Sequence, residues 1–182
     1  MTNRAPLSQQ ELVYQIRCHL RYELQFMLFA ADAYQRATGA SCVTYLDSAT
    51  IHARNLLEWA SEKDATQFNL GALGGCAARL ESWERWANNR VAHMREREHD
   101  KAPWPGGPGT WDRPDKLMLM AKVVLDRLRN GLQGIPPGDA RDAYVAVLDA
   151  ALAYWTDPTH SNYEALNSLH DGSRDMRYPE RS

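Results

Sequence analysis

No run in this chain of 182 residues approaches the ~20 consecutive apolar residues of a membrane-spanning helix, and its first residues lack the apolar core of a signal peptide. Cysteine is scarce. Cys18, Cys42 and Cys76 are an odd number, at spacings that suit neither a disulfide framework nor a zinc knuckle, so a reducing cytoplasm is the simplest setting. Cys18 and Cys76 fall among apolar residues of helical character, the ordinary context of a small buried thiol. Charge of one sign is lacking as well: the net charge is −2 with histidines neutral. No global basic field announces nucleic acid, and only a local basic patch stays open. β-branched runs of alternating polarity are missing, which argues against a sheet. There is no His-Glu-x-x-His, and the carboxylates Glu81, Glu84, Glu96 and Glu98 lack the paired Glu-x-x-His pattern of a di-iron bundle. Gly106-Gly107-Pro108-Gly109 has neither the following Lys-Ser/Thr nor the preceding strand of a phosphate loop. No metal or cofactor is expected on these grounds.

What is present is helical pattern. An apolar fraction of 44% and a charged fraction of 24% are ordinary for a globular domain, and the length suits one domain over residues 1–182, with a core about 8–155 and a C-terminal helix and tail from 157 to 182. Ser8 with Glu11 reads as a capping box opening one long helix to about Ala37, its stripe being Leu12, Ile16, Leu20, Leu24, Met27, Leu28 and Ala31. Ser41 is placed to cap a second helix to about Ser61, with Val43, Leu46, Ala49, Thr50, Ala53, Leu56, Leu57 and Ala60 inward. Residues 62–75 read as a connection. A third helix spans about Cys76 to Glu98, with Leu80, Trp83, Ala87, Val91 and Met94 facing the core. The Pro/Gly/Trp segment from His99 to Asp112 forbids a continuous helix. A helix follows from about Arg113 to Asn130, closed by Gly131 or Gly134, and Asp139 caps a fifth carrying Tyr144, Val147, Leu148, Ala151 and Trp155. Asp157-Pro158 fits the start of a short last helix to about His170. The expected fold is all-α, an up-and-down bundle of four to five main helices with a short C-terminal helix. Six tryptophans and eight tyrosines suggest that some aromatic surface serves an interface.

Chemistry concentrates on the third helix. With the Trp83/Ala87/Val91/Met94 stripe inward, Trp86, Asn89 and His93 share one flank, and Arg90 lies between them and the core. A histidine relays protons near neutrality. A guanidinium clamps phosphate, and an asparagine orients either. Such a set suits metal-free RNA cleavage by the 2′-hydroxyl, and it equally suits an interhelical histidine with polar neighbours. On the second helix, His52, Asn55 and Trp59 form another line, which would face Asn89 and His93 if the second and third helices are antiparallel neighbours. Arg54 and Glu58 read as a surface ion pair.

Asn88-Asn89-Arg90-Val91-Ala92-His93 resembles the signature helix of the HEPN superfamily, many members of which are metal-independent RNases of toxin–antitoxin, phage-defence and CRISPR systems. The family motif is an arginine, usually followed by a polar residue, with four to six residues in all before a histidine. Asn89 matches the polar position and His93 the histidine, while Asn88 stands where the arginine is expected; Arg90 is too close to His93 and Arg85 too far. In the family, arginine and histidine of two subunits meet in a shared cleft, so the resemblance implies a homodimer. The departure leaves open an active enzyme, with Arg90 or Arg54 standing in, and an inactive, binding or structural version. Two readings follow: a HEPN-like endoribonuclease or RNA-binding protein, with His93, Arg90 and Asn89 as its site and Asn88, Trp86, His52 and Arg54 in support, and a non-catalytic helical interaction module acting on a second copy or a partner protein through its tryptophans.

Overall fold

A computed structural model describes residues 5–91 and 116–170, with the side chains of 89–91 outside that description. Helix α1 (Gln9–Gln15) opens on the capping box: Ser8 Oγ accepts from Glu11 N–H at 3.3 Å, and a Glu11 carboxylate oxygen accepts from Ser8 N–H at 2.7 Å. The chain continues through a π-helical turn (Ile16–Leu20) into α2 (Arg21–Tyr34), so the expected long helix is one continuous spine. The π turn has a cause in the sequence. Leu12, Ile16, Leu20 and Leu24 recur every fourth residue, which on a regular α-helix rotates the stripe by ~40° per step. The wider winding, in which Arg21 N–H reaches back to Ile16 C=O, takes up that drift and keeps all four buried.

Helix α3 (Ala40–Ser61) packs along α2, and α4 (Glu81–Val91) lies on α3. Helices α5 (Lys116–Gly131) and α6 (Asp139–Thr156) complete the bundle, and the short α7 (His160–Ser168) rests on α6 and α2. The described residues form an all-helical, up-and-down bundle without a strand, and the π-interrupted spine counted once gives five main helices plus α7. The expected inward stripe of the spine is buried, and that of α3 is buried from Leu46 to Ala60, while Val43 in its first turn is 44% exposed, ahead of the stretch that packs on α2. At the centre Tyr144 is wholly enclosed, its hydroxyl donating to Leu128 C=O at 2.5 Å. No described helix is long and apolar enough to cross a membrane.

Several boundaries differ from expectation. Gly39 at φ 58°, not Ser41, precedes α3, and Gly138, not Asp139, precedes α6; Asp139 instead sits in the first turn, where its charge favours the helix dipole. Thr159 caps α7 by accepting from Asn162 N–H, while the Asp157 carbonyl accepts from Thr159 N–H and Asn162 Nδ2 and closes the preceding turn. The third helix begins at Glu81 rather than Cys76. Residues 75–80 are not helical: Gly75 N–H bonds to Leu70 C=O, and Ala77 N–H bonds to Ala60 C=O and ties the strap to the end of α3. Cys76 is consequently exposed instead of buried in a helix, and Cys18 is half-buried. The continuation of the third helix to Glu98, the segment 99–112 and the start of the next helix before 116 lie outside the described residues.

Candidate functional site

Helix α4 is anchored by a buried arc broader than the sequence stripe. Trp83 and Trp86 meet edge to face, with ring centroids 6.2 Å apart, and Ala87 is buried beside them. Trp86 is therefore a core residue, 2% exposed, and not part of an accessible flank. The arc extends to Glu84, whose buried carboxylate is held by Arg79 on the strap before the helix. That pairing holds the Arg79 guanidinium above its ordinary pKa. Trp86, Trp83, Ala87 and Glu84 together span about 160° of the helix, which is wide enough to bring Trp86, about 60° from Trp83, into the core. Asn88 is half-buried. Asn89 and Arg90 contribute backbone to α4, but their side chains, and His93 altogether, lie outside the described residues.

The second-helix line is fully described, and its hydrogen bonds run to α2. His52 Nδ1 lies 2.8 Å from a Glu23 carboxylate oxygen of α2, and Asn55 Nδ2 donates to the same oxygen at 3.2 Å. Trp59 stacks on Tyr144 and meets Phe68. The expected approach to Asn89 and His93 falls on side chains outside the described residues; what the described residues show is contact with α2 and the bundle centre. The line lies on the flank of α3 turned toward α2, about 100–160° from the buried stripe centred on Ala53. Arg54, two residues from His52, projects about 200° around the helix from it and pairs with Glu58 at 3.0 Å, as expected of a surface pair. Its Nε, and Nε1 of Trp59, are buried without a hydrogen-bond partner among the described residues.

Glu23, with His52 and Asn55 both fixed to one oxygen, borders two features. On one side is a cleft of ≈ 510 Å³ between the spine and α3, with Leu20, Leu56 and Phe68 as apolar lining and Glu23, Glu58 and Glu62 as its acidic groups. On the other is an exposed ring surface. Tyr22, Phe26 and Phe29, at i, i+4 and i+7 of α2, are 44%, 37% and 42% exposed. Tyr22 and Phe26 are 4.5 Å apart by centroids, and each lies 5.6 Å from the His52 ring. Phe29 joins Tyr45 of α3 and Tyr163 of α7, and Ile51 is exposed nearby on α3. Sequence reasoning missed Glu23 and this ring row. The row's signal was present as three aromatics at helical spacing, offset by about 100° or more from the leucine stripe. The described tryptophans, by contrast, are buried or half-buried.

Among the described residues no group of three or more His, Cys, Asp and Glu side chains converges as a metal site would require. What the arrangement offers chemically is a histidine with one nitrogen fixed by a carboxylate and a ring surface beside it open to solvent. Comparison with known proteins gives no matching family model, no matching curated protein and no matching solved structure.

Proposed function

We propose that this chain is a helical interaction module that pairs with a second copy of itself through the outer face of α2 and α3. The observation that carries this reading is the exposed row Tyr22, Phe26, Phe29 with Ile51 beside it. Side chains of this size exposed by about 40% present roughly 300 Å² of apolar surface in one patch, the scale at which a surface patch on a monomer is functional. A helix face with anchors at i, i+4 and i+7 is self-complementary about a twofold axis, the commonest symmetry of soluble oligomers. Glu23, His52 and Asn55 supply a polar rim along one side. The test is the mass in solution by sedimentation and light scattering. Phe26→Asp places a charge in the interface twice, so dimerisation is expected to weaken about 100-fold or more, with the helical circular dichroism retained. A wild type that stays monomeric at high concentration, or a dimer indifferent to Phe26→Asp, refutes it.

A second reading is supported by α4 and by the resemblance it carries: a HEPN-like, metal-independent endoribonuclease or RNA-binding member of a toxin–antitoxin or phage-defence system, acting in the cytoplasm. The helix bearing Asn88 packs on α3, and its Trp83, Trp86 and Ala87 are buried in the core, a rigid support of the kind a site on its far end requires. In this reading His93 transfers protons, Arg90 clamps phosphate and Asn89 positions. Arg54, already engaged by Glu58, is the weaker stand-in for the motif arginine. Labelled RNA incubated with purified protein in EDTA is expected to be cut by the wild type and spared by His93→Ala. Equal cleavage by both removes the assignment.

A further inference from the structure

Arg21 is the first residue of α2 and is 5% exposed, yet among the described residues no carboxylate lies within ion-pair distance of it. Its partners are neutral oxygens. Nε donates to Arg17 C=O at 2.8 Å, and Nη1 donates to the Gln25 side-chain oxygen and, at 3.4 Å, to Asn167 Oδ1 of α7. Gln25 Nε2 donates to the same Asn167 oxygen, also at 3.4 Å. A buried guanidinium surrounded by neutral acceptors is an incomplete arrangement, because a charge taken out of water is ordinarily matched by an opposite one. Burial holds the guanidinium below its ordinary pKa, as a missing counter-charge entails.

The lid over this group is thin. Asn167 is exposed on its outer side, so the guanidinium lies one amide beneath the surface. Helix α7 has nine residues and buries a single side chain completely, Leu166. Among the described residues Nη2 has no hydrogen-bond partner, it is not one of the atoms sealed from solvent, and the Nη1 bond to Asn167 is long. The two terminal nitrogens are thus the side of the fork that a carboxylate or phosphate takes in bidentate fashion.

We propose that Arg21 is an anion-recognition site closed by α7, in which the Asn167 amide oxygen occupies the position of one oxygen of a compact carboxylate or phosphate that chelates Nη1 and Nη2. Binding displaces Asn167 and leaves Gln25 as the flanking neutral partner.

Asn167→Asp tests the missing charge directly, since it is isosteric and places a carboxylate at the vacant position. A charge-assisted bond in place of a long neutral one is expected to raise Tm by ~3–10 °C, and the rise is expected to vanish in R21Q/N167D. In parallel, melting of the full chain is followed in inorganic phosphate, acetate and chloride at matched ionic strength. Phosphate or acetate is expected to raise the wild-type Tm above that in chloride, leaving R21Q and N167D unmoved. The more effective of the two anions identifies the ligand class. Equal responses in wild type and R21Q mean a general salt effect and overturn the proposal, as does an unresponsive wild type. An N167D protein no more stable than wild type overturns it even where R21Q fails to fold.

Discussion

Gly131→Ala is expected to destabilise this protein, although the same exchange inside a helix ordinarily stabilises it. Gly131 closes α5 at φ −65° and ψ −22°, a conformation any residue adopts, so helix propensity and the lost freedom of the unfolded chain together favour alanine by about 1 kcal/mol. Against this stands Leu70. A Cβ on Gly131 would fall inside the contact radius of Leu70 Cδ2 and lie 3.1 and 3.2 Å from Cδ1 and Cγ. Leu70 is fully buried and cannot swing outward. Behind it the Gly75 backbone presses so close that a Cβ there would sit 2.6 Å from the Gly131 carbonyl oxygen. Overpacking of this kind costs roughly 2–3 kcal/mol, leaving a net loss of about 1–2 kcal/mol, or roughly 2–8 °C in Tm for a chain of this length. Urea denaturation followed by far-ultraviolet circular dichroism measures it. Leu70→Ala alone is expected to cost about 2–5 kcal/mol by leaving a cavity. In G131A/L70A the new methyl enters that space, so the double variant is expected to fall short of the additive sum by at least about 1 kcal/mol. A stabilised G131A, or costs that add within ~0.5 kcal/mol, refutes the steric argument.

Three further outcomes are expected. Burial pushes the Tyr154 hydroxyl up to about 12, with the Asp32 charge adding to it, and burial also holds Tyr144 above the ordinary range. A folded-state pKa above the unfolded one gives stability that is complete below pH ~10 and lost as pH rises through 12. Tyrosinate absorbance should therefore show late titration coincident with unfolding, and Y154F should remove one late group; early titration of all tyrosines contradicts this. Ser8→Ala removes the acceptor for Glu11 N–H and the anchor of the capping box, at about 1 kcal/mol, and amide exchange should quicken in α1 before α6. Glu23→Ala leaves the His52 and Asn55 nitrogens without their shared acceptor, for about 1–3 kcal/mol by chemical denaturation, whereas an unchanged midpoint would mean that water replaces the carboxylate without cost.

The helical architecture was legible because apolar spacing is a local property. The stripe from Leu12 to Ala31 and the one from Leu46 to Ala60 are each written within one element, and burial follows them. Caps were read less well, since Ser41, Asp139 and Asp157 have the right chemistry one or two residues from glycines and a threonine whose backbone geometry decides. Cys76 to Leu80 looks helical in composition and is not helical, because the Ala77 N–H is donated to Ala60 C=O and the preceding Gly75 N–H to Leu70 C=O, a tertiary fact. The His52/Asn55 line was visible as a helix face, but Glu23 lies 29 residues before His52, and nothing local announces that pairing. Trp86 was assigned to a flank because a narrow stripe was assumed. Glu84, matched by Arg79, let the buried arc widen.

The π turn between α1 and α2 divides the spine into two segments with different neighbours. The first lies on α6, and the second chiefly on α3 and α5. One extra residue's worth of winding sets the phase between those two interfaces, as an offset does between two gears on one shaft. A one-residue insertion or deletion on either side of Ile16–Leu20 changes the phase of that side alone. The turn itself is the segment whose length neither half can change without the other.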